Sequence, residues 1–225
     1  RGCSPDRRMT VETTPGLILR TRPLTETSLI VQWITPDLGR LATVAKGARR
    51  PKSPFRGKLD LFYLAEISFQ RSRRSDLHTL REVSLRKTHP RLREDYARLR
   101  QAAYGALLVE QTTESETPLP LLYALLVELI DCLDTDAARP QYLLAFELKL
   151  LAESGQGPDL AALRLHPTTR DLAQRLLTAD LRSGGQLAPP PGAVAELRTF
   201  LKRFLVYHLD RIPRGRDEAL EADGT

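Results

Sequence analysis

The spacing of apolar residues along this chain of 225 residues changes once, near residue 90. Before that point the apolar residues fall into short runs, several with the period of two that is typical of strands. After it they recur three or four residues apart, as on one face of a helix. The runs of the first part are residues 16–20, 28–34, 40–46, 59–69 and 77–87. Five short strands without helix-length periodicity among them predict a small closed barrel, followed by a bundle of helices.

These patterns predict an α+β fold with two domains. We place a five-stranded barrel in residues 11–88 and an all-helical domain in residues 89–213, where proline and glycine divide the chain into helical segments. A polar tail is expected over residues 214–225. Met9 is the only methionine, so we interpret residues 1–10 as an extension or a disordered segment.

Composition excludes several classes of protein. No stretch approaches the roughly 18 consecutive apolar residues that a membrane-spanning helix needs. Cys3 and Cys132 are the only two cysteines, and two thiols are too few for a disulfide framework or a four-thiolate zinc site. The start of the chain lacks the apolar core of a secretory signal, so a cytoplasmic protein is expected.

The sequence contains no motif of an enzyme. A nucleophile elbow, a glycine-rich phosphate loop, a dinucleotide fingerprint and an HExxH pair are all absent. The four histidines are scattered, and none lies three or four residues from another. We therefore predict no catalytic residue, no metal site and no cofactor.

Charge is divided unevenly between the two parts of the chain. Residues 1–100 hold 22 Lys and Arg against 10 Asp and Glu, whereas residues 101–225 hold 12 against 18. The first part therefore carries +12 and the second −6, which together give the net charge of +6. A basic domain joined to an acidic one predicts that the basic domain binds a polyanion.

One loop concentrates this positive charge. Residues 46–58 hold six cations and no acid, with glycines and prolines that keep the segment out of regular structure, and three arginines follow at a later turn. The predicted nucleic-acid ligands are Lys46, Arg49, Arg50, Lys52, Arg56, Lys58, Arg71, Arg73 and Arg74, with Phe55 placed to stack on a base. The alternative is a solvated loop with an accidental surplus of cations. Trp33 and Tyr63 lie in strands with apolar neighbours in phase, so we assign both to the core.

The same loop carries a family resemblance. Residues 44–57, VAKGARRPKSPFRG, resemble the loop that marks the bacterial RecO recombination mediators. Residues 17–23 and 26–30 are similar to the first two strands of that family, and residues 201–209 resemble its last helix. The similarity extends over residues 13–216.

The resemblance implies a fold, a function and partners. RecO proteins have an N-terminal OB barrel and a C-terminal helical domain, bind single- and double-stranded DNA, and anneal complementary strands. With RecR they help RecA to displace the single-stranded-DNA-binding protein at gaps, and they contact the acidic tail of that protein. They have no known catalytic centre. The resemblance thus implies a non-enzymatic mediator of DNA repair and recombination that is associated with the nucleoid. The alternative is a protein-interaction adaptor with weak nucleic-acid affinity.

Two features of the helical part bear on zinc and on partners. Many RecO sequences carry a zinc-binding insertion with paired CxxC motifs, but residues 155–165 contain no cysteine, so zinc is not implied here. Further along, Arg198, Lys202 and Arg203 lie within six positions, beside an apolar stripe that includes Phe204. We predict that these cations receive the acidic tail. The alternative is that the stripe is entirely core and the cations are only solvated.

Overall fold

The computed structural model describes residues 11–221. The predicted extension over residues 1–10 and the last four residues of the predicted tail lie outside the described residues. The chain divides into two compact units. Among the described residues, one unit contains residues 11–88 together with Glu114–Pro120, and the other contains His89–Thr113 and residues 121–221.

The first unit is a five-stranded barrel. Its strands are β1 (Val11–Pro23), β2 (Leu29–Thr35), β3 (Gly39–Ala45), β4 (Leu64–Gln70) and β5 (Leu77–Lys87). They close in the order β1-β2-β3-β5-β4. The long strand β1 pairs with β4 through its first half and with β2 through its second half, and a short parallel pairing of β3 with β5 completes the circle. The barrel predicted from the period of two is therefore confirmed.

The inward-facing side chains of the strands form the core of the barrel. Trp33, the only tryptophan of the chain, is fully buried, and its Nε1–H donates a 2.9 Å hydrogen bond to Oγ1 of Thr43. This bond lets the indole be buried without leaving its N–H unsatisfied. Ile67 and Phe69 of β4 belong to the same core cluster. The assignment of Trp33 to the core is confirmed.

The fourth strand begins later than its alternating pattern predicts. The pattern starts at residue 59, whereas β4 starts at Leu64. Phe62 interrupts the extended backbone because its φ of 61° lies in the left-handed region. Its N–H donates a 2.9 Å hydrogen bond to the carbonyl of Ile18 in β1. Residues 59–63 therefore form a turn that leads into the strand.

A segment from the helical part of the sequence packs on the barrel. Glu114–Pro120 belongs to the barrel unit, and the N–H of Glu116 donates a 2.8 Å hydrogen bond to the carbonyl of Arg40 in β3. A glycine is required beside it, because a Cβ on Gly39 would lie 1.9 Å from the carbonyl oxygen of Thr117. Glu116 itself has a φ of 56°. This contact brings a carboxylate from outside the strands to the barrel surface.

The second unit is helical, as predicted. It contains a 3-10 turn (Pro90–Arg93) and helices α1 (Tyr96–Thr112), α2 (Pro120–Thr135), α3 (Pro140–Glu153), α4 (Pro167–Thr178), α5 (Leu181–Gly185), α6 (Pro191–Leu209) and α7 (Arg216–Leu220). The central helix is α3, which is buried along most of its length and packs against α1, α4, α5, α6 and α7. Across residues 11–221, none of the helices has the length and apolar character that crossing a membrane requires.

The end of the described chain differs from the predicted polar tail, because residues 216–220 form α7. Arg216 is only 3% exposed, and its guanidinium pairs with the fully buried carboxylate of Glu147 in α3 at 2.6 and 2.7 Å. The hydroxyl of Tyr104 donates to the same carboxylate at 2.6 Å. Burial, with Glu147 adding to it, raises the pKa of the Tyr104 phenol. The tail prediction is wrong over α7, since an ionic contact holds this short helix against the helical core.

Candidate nucleic-acid interface

The basic loop, residues 46–58 between β3 and β4, is a succession of tight turns. Five of its backbone N–H groups donate to the carbonyl three residues earlier, at Ala48, Arg50, Ser53, Arg56 and Lys58. Gly47 and Gly57 have φ values of 69° and 71°, which glycine adopts without a steric penalty. The turns give the loop a defined path without extending either strand.

Two contacts fix the basic loop to the barrel. The N–H of Arg49 donates a 3.0 Å hydrogen bond to the carbonyl of Thr27, in the turn between β1 and β2. Phe55 is only 7% exposed and belongs to the barrel core cluster. Burial of this large apolar ring in the core disfavours the predicted stacking of Phe55 on a base, although Phe55 also lines an open groove beside the loop. Phe55 is the anchor of the loop.

Most cations of the basic loop remain exposed. The exposed ones are Lys46, Arg49, Arg50, Lys52 and Arg56, and none of them takes part in an ion pair with another described residue. Lys58 differs, because it is half-buried and its ammonium donates to the carbonyl of Val83 at 3.2 Å. Five positive charges held in one loop without a carboxylate partner favour binding of a polyanion.

An open groove lies beside the basic loop, with a volume of about 530 Å³. We call it the loop groove. Its lining includes Arg49, Arg50, Arg56, Leu29, Leu59, Asp60 and Tyr63. Tyr63 is half-buried and packs against the barrel core while also lining the groove. Its assignment to the core therefore describes only part of its surroundings.

The three arginines of the second predicted cluster differ in whether they pair with carboxylates. Arg71 donates to both carboxylate oxygens of Glu12, at 2.7 and 3.1 Å, and to Glu116 at 2.7 Å. The hydrogen bond from Arg71 holds the pKa of the Glu12 carboxyl below its usual range. Two carboxylates already neutralise the charge of Arg71, which disfavours its predicted role as a nucleic-acid ligand. Arg73 and Arg74 are exposed, and neither pairs with a described carboxylate.

Because Arg71 is paired and Arg74 is not, we expect their substitution to have opposite effects on stability and on DNA binding. We expect Arg71→Gln to lower the melting temperature by about 2–4 °C, since it removes contacts worth about 1 kcal/mol, and to change DNA affinity less than about twofold. Arg74→Gln is the matched control: it should leave the melting temperature unchanged and weaken DNA binding. Thermal unfolding and fluorescence anisotropy measure both. A larger loss of DNA affinity for Arg71→Gln than for Arg74→Gln would contradict this assignment.

Two of the three cations predicted on α6 are paired within the protein. The guanidinium of Arg198 donates to the carbonyl of Asp217 at 3.0 Å and lies 3.5 Å from its carboxylate, which also accepts from Lys202. Leu201, between them, is fully buried. Arg198 and Lys202 do lie together, as their spacing predicts, but they meet on Asp217 of α7. Arg203 is exposed and forms no ion pair with any residue in the described range.

Sequence reasoning missed one anchor of the basic loop and one residue of the loop groove. The carbonyl of Thr27 anchors the basic loop, and a main-chain acceptor leaves no trace in a sequence. The position of Tyr63 in the groove was not predicted, because Tyr63 continues the alternating apolar pattern of the strand. The available signal was Asp60, a turn-forming residue inside that pattern.

The titratable groups of the described residues are scattered. In residues 11–221 no group of three or more His, Cys, Asp or Glu is placed to hold a metal ion. The buried histidines His78 and His89 each contact one carboxylate, at 2.9 Å in both cases. Burial raises the pKa of the Cys132 thiol to about 11, which disfavours the nucleophilic thiolate.

A closed five-stranded barrel joined to a helical unit defines an OB-fold protein with an appended helical domain. Two family models match the chain: Recombination protein O N terminal over residues 9–89 and Recombination protein O C terminal over residues 93–163. The chain therefore belongs to the RecO family of DNA repair proteins.

Curated relatives support the same family. The DNA repair protein RecO of Anaeromyxobacter sp. (strain K) is 32% identical in an alignment that covers 87% of this chain and 91% of the relative. The DNA repair protein RecO of Alkaliphilus metalliredigens (strain QYMF) is 28% identical, with 88% of this chain and 94% of the relative covered. The similarity to these relatives thus extends well beyond the residues that match the family models.

Proposed function

We propose that this chain is a non-enzymatic mediator of DNA repair and recombination that binds single- and double-stranded DNA and anneals complementary strands. With RecR, it assists the loading of RecA on gaps coated by single-stranded-DNA-binding protein, in the cytoplasm at the nucleoid. The observation that carries the proposal is the basic loop, with five exposed cations and no ion pair to a described residue.

The geometry of the basic loop supports binding without sequence specificity. Arginine and lysine on turns suit phosphate oxygens, and contacts to phosphates carry no information about bases. Both nucleic-acid forms present phosphates, so one loop serves single and double strands. A surface that holds two strands by their backbones shields their mutual repulsion and leaves their bases free to pair, which is what annealing requires.

A strand-annealing assay tests this function against that of a protein-interaction adaptor. Two complementary oligonucleotides, one with a fluorophore and one with a quencher, are mixed with and without the protein. A mediator accelerates quenching, and added salt removes the acceleration because phosphate contacts are screened. An adaptor that only tethers other proteins leaves the rate of pairing unchanged, and that result would refute the proposal.

We further propose that α6 contributes to the site for the acidic tail of single-stranded-DNA-binding protein. Arg203 is exposed, and Arg198 and Lys202 lie on the same helix. The hydrogen bond from Lys202 holds the pKa of Asp217 below its usual range, so the Asp217 carboxylate is charged at neutral pH. An acidic peptide that uses Lys202 and Arg198 therefore competes with Asp217.

Because Asp217 competes with the peptide, removing the charge of Asp217 is expected to raise the affinity for the peptide. Asp217→Asn should tighten binding of an acidic, apolar-ended peptide by about fivefold, because it removes a surface ion pair worth about 1 kcal/mol. Arg198→Glu with Lys202→Glu should abolish peptide binding, while DNA binding by the barrel persists. Calorimetry with the peptide and anisotropy with an oligonucleotide measure the two activities. Unchanged peptide affinity in both variants would move the site elsewhere.

A further inference from the structure

The loop groove has a chemistry that phosphate binding alone does not explain. Its lining combines arginines of the basic loop with the apolar side chains of Leu29 and Leu59 and with Tyr63. A sugar-phosphate backbone needs cations and hydrogen-bond donors, but it gains little from an apolar recess. The groove volume of about 530 Å³ lies within the range of roughly 300–1,000 Å³ that is typical of small-ligand pockets.

Three arginines of the groove keep donors available for an anion. Arg49 donates through Nη1 to the carbonyl of Thr25 at 3.5 Å, and Arg56 donates through Nη1 to the carbonyl of Pro51 at 3.4 Å. Each guanidinium has five N–H donors, so one bond to a carbonyl orients the group and leaves the others for a phosphate. Arg50 is exposed beside them.

Tyr63 supplies a held aromatic surface beside these cations. Its backbone is tied at both polar groups, since its N–H donates to the carbonyl of Asp60 at 3.2 Å and its carbonyl accepts from Ile18 at 3.0 Å. Its side chain packs against the barrel core and lines the groove. A ring held in this way loses little conformational freedom when a second flat group stacks on it. Phe55 lines the groove as well, but only 7% of it is exposed, so Tyr63 presents the larger aromatic surface.

We propose that the loop groove receives one unstacked base of a single strand, which stacks on Tyr63 while Arg49, Arg50 and Arg56 bind the neighbouring phosphates. This inference rests on the proposed function, because it assigns a ligand to part of the same surface. A duplex keeps its bases stacked inside, so the groove favours single strands, whereas the exposed cations serve both forms. Base stacking is tolerant of sequence because every base has a flat face.

The test compares two oligonucleotides of equal charge. One is a strand of thymidines, and the other has the same number of phosphates with every base replaced by an abasic tetrahydrofuran. For the unaltered protein, anisotropy should show about tenfold tighter binding of the strand that carries bases, as expected for one base–aromatic stack. This ratio of the two affinities is measured on the unaltered protein, so it tests the inference even where a substitution disturbs folding.

Two variants test whether the preference for the strand that carries bases depends on the aromatic ring of Tyr63. Tyr63→Phe should retain the ratio, whereas Tyr63→Leu, which keeps an apolar side chain against the core, should reduce it to within about twofold. The salt dependence should be the same for all three proteins because the phosphate contacts are unchanged. Equal affinity of the unaltered protein for both oligonucleotides would overturn the base-binding inference and leave the proposed function intact. Failure to bind either oligonucleotide would instead refute the proposed function.

Discussion

Reversing three charges of the basic loop is expected to lower the affinity for single-stranded DNA by about 100-fold in about 0.1 M salt. The variant combines Arg49→Glu, Arg50→Glu and Lys52→Glu, all at exposed positions without an ion pair to a described residue. On a single strand each phosphate contact contributes about 0.7 to the slope of log K against log salt, which corresponds to about fivefold in affinity at this salt concentration. Three lost contacts therefore lower the slope by about 2.

A second triple variant tests whether the position of the reversed charges or the net charge of the protein determines the loss of DNA affinity. Arg164→Glu, Arg175→Glu and Arg214→Glu change the net charge equally, but these three exposed arginines belong to the helical unit. We expect this second triple variant to lower the affinity for single-stranded DNA only slightly and to leave the slope of log K against log salt unchanged. Anisotropy over a salt series gives affinity and slope together. Similar losses in the two variants would show that overall charge, rather than the basic loop, governs binding.

The second large effect concerns stability. Arg216→Ala is expected to lower the free energy of unfolding by about 3–5 kcal/mol, because it leaves the carboxylate of Glu147 buried without its cation. The pair is almost completely buried, with Glu147 at 0% and Arg216 at 3% exposure. Tyr104 continues to donate to that carboxylate, but a hydroxyl does not replace a guanidinium as a partner for a buried charge. Denaturant unfolding followed by helical circular dichroism measures the loss.

Two companion variants separate the buried charge from the rest of α7. Arg214→Ala removes an exposed arginine two residues away and should change stability by less than about 0.5 kcal/mol. A triple variant, Glu147→Leu with Arg216→Met and Tyr104→Phe, removes every member of the buried contact. It should recover most of the lost stability, since replacing a buried ion pair by apolar groups of similar size is often nearly neutral. A triple variant as unstable as Arg216→Ala would contradict this explanation.

The fold was predictable where a short-range pattern determined it. Alternation along residues 59–69 identified β4, but it also ran through residues 59–63, which form a turn. The difference depends on Phe62, whose left-handed backbone is stabilised by a hydrogen bond to Ile18, 44 residues earlier in the chain. A pattern of apolar residues does not record such a bond.

The same distinction holds for the candidate site. The cations of the basic loop were visible because they lie together in sequence, and their loop was identifiable from glycine and proline. The pairing of Arg71 was not, because its carboxylate partners are 59 and 45 residues away. The five-residue helix α7 was too short to show a period, and its burial depends on Glu147, 69 residues away from Arg216. Local charge therefore identified where the cations cluster, but not which of them are already paired with distant carboxylates.

Photochemical crosslinking tests most directly where DNA lies on this protein. A single-stranded oligonucleotide that contains 5-iododeoxyuridine is irradiated in complex with the full chain, and the adducts are located by proteolysis and mass spectrometry. We expect adducts within residues 46–63, on the basic loop or on Tyr63, and their loss in the triple loop variant. Adducts confined to the helical unit, with none in residues 46–63, would contradict it.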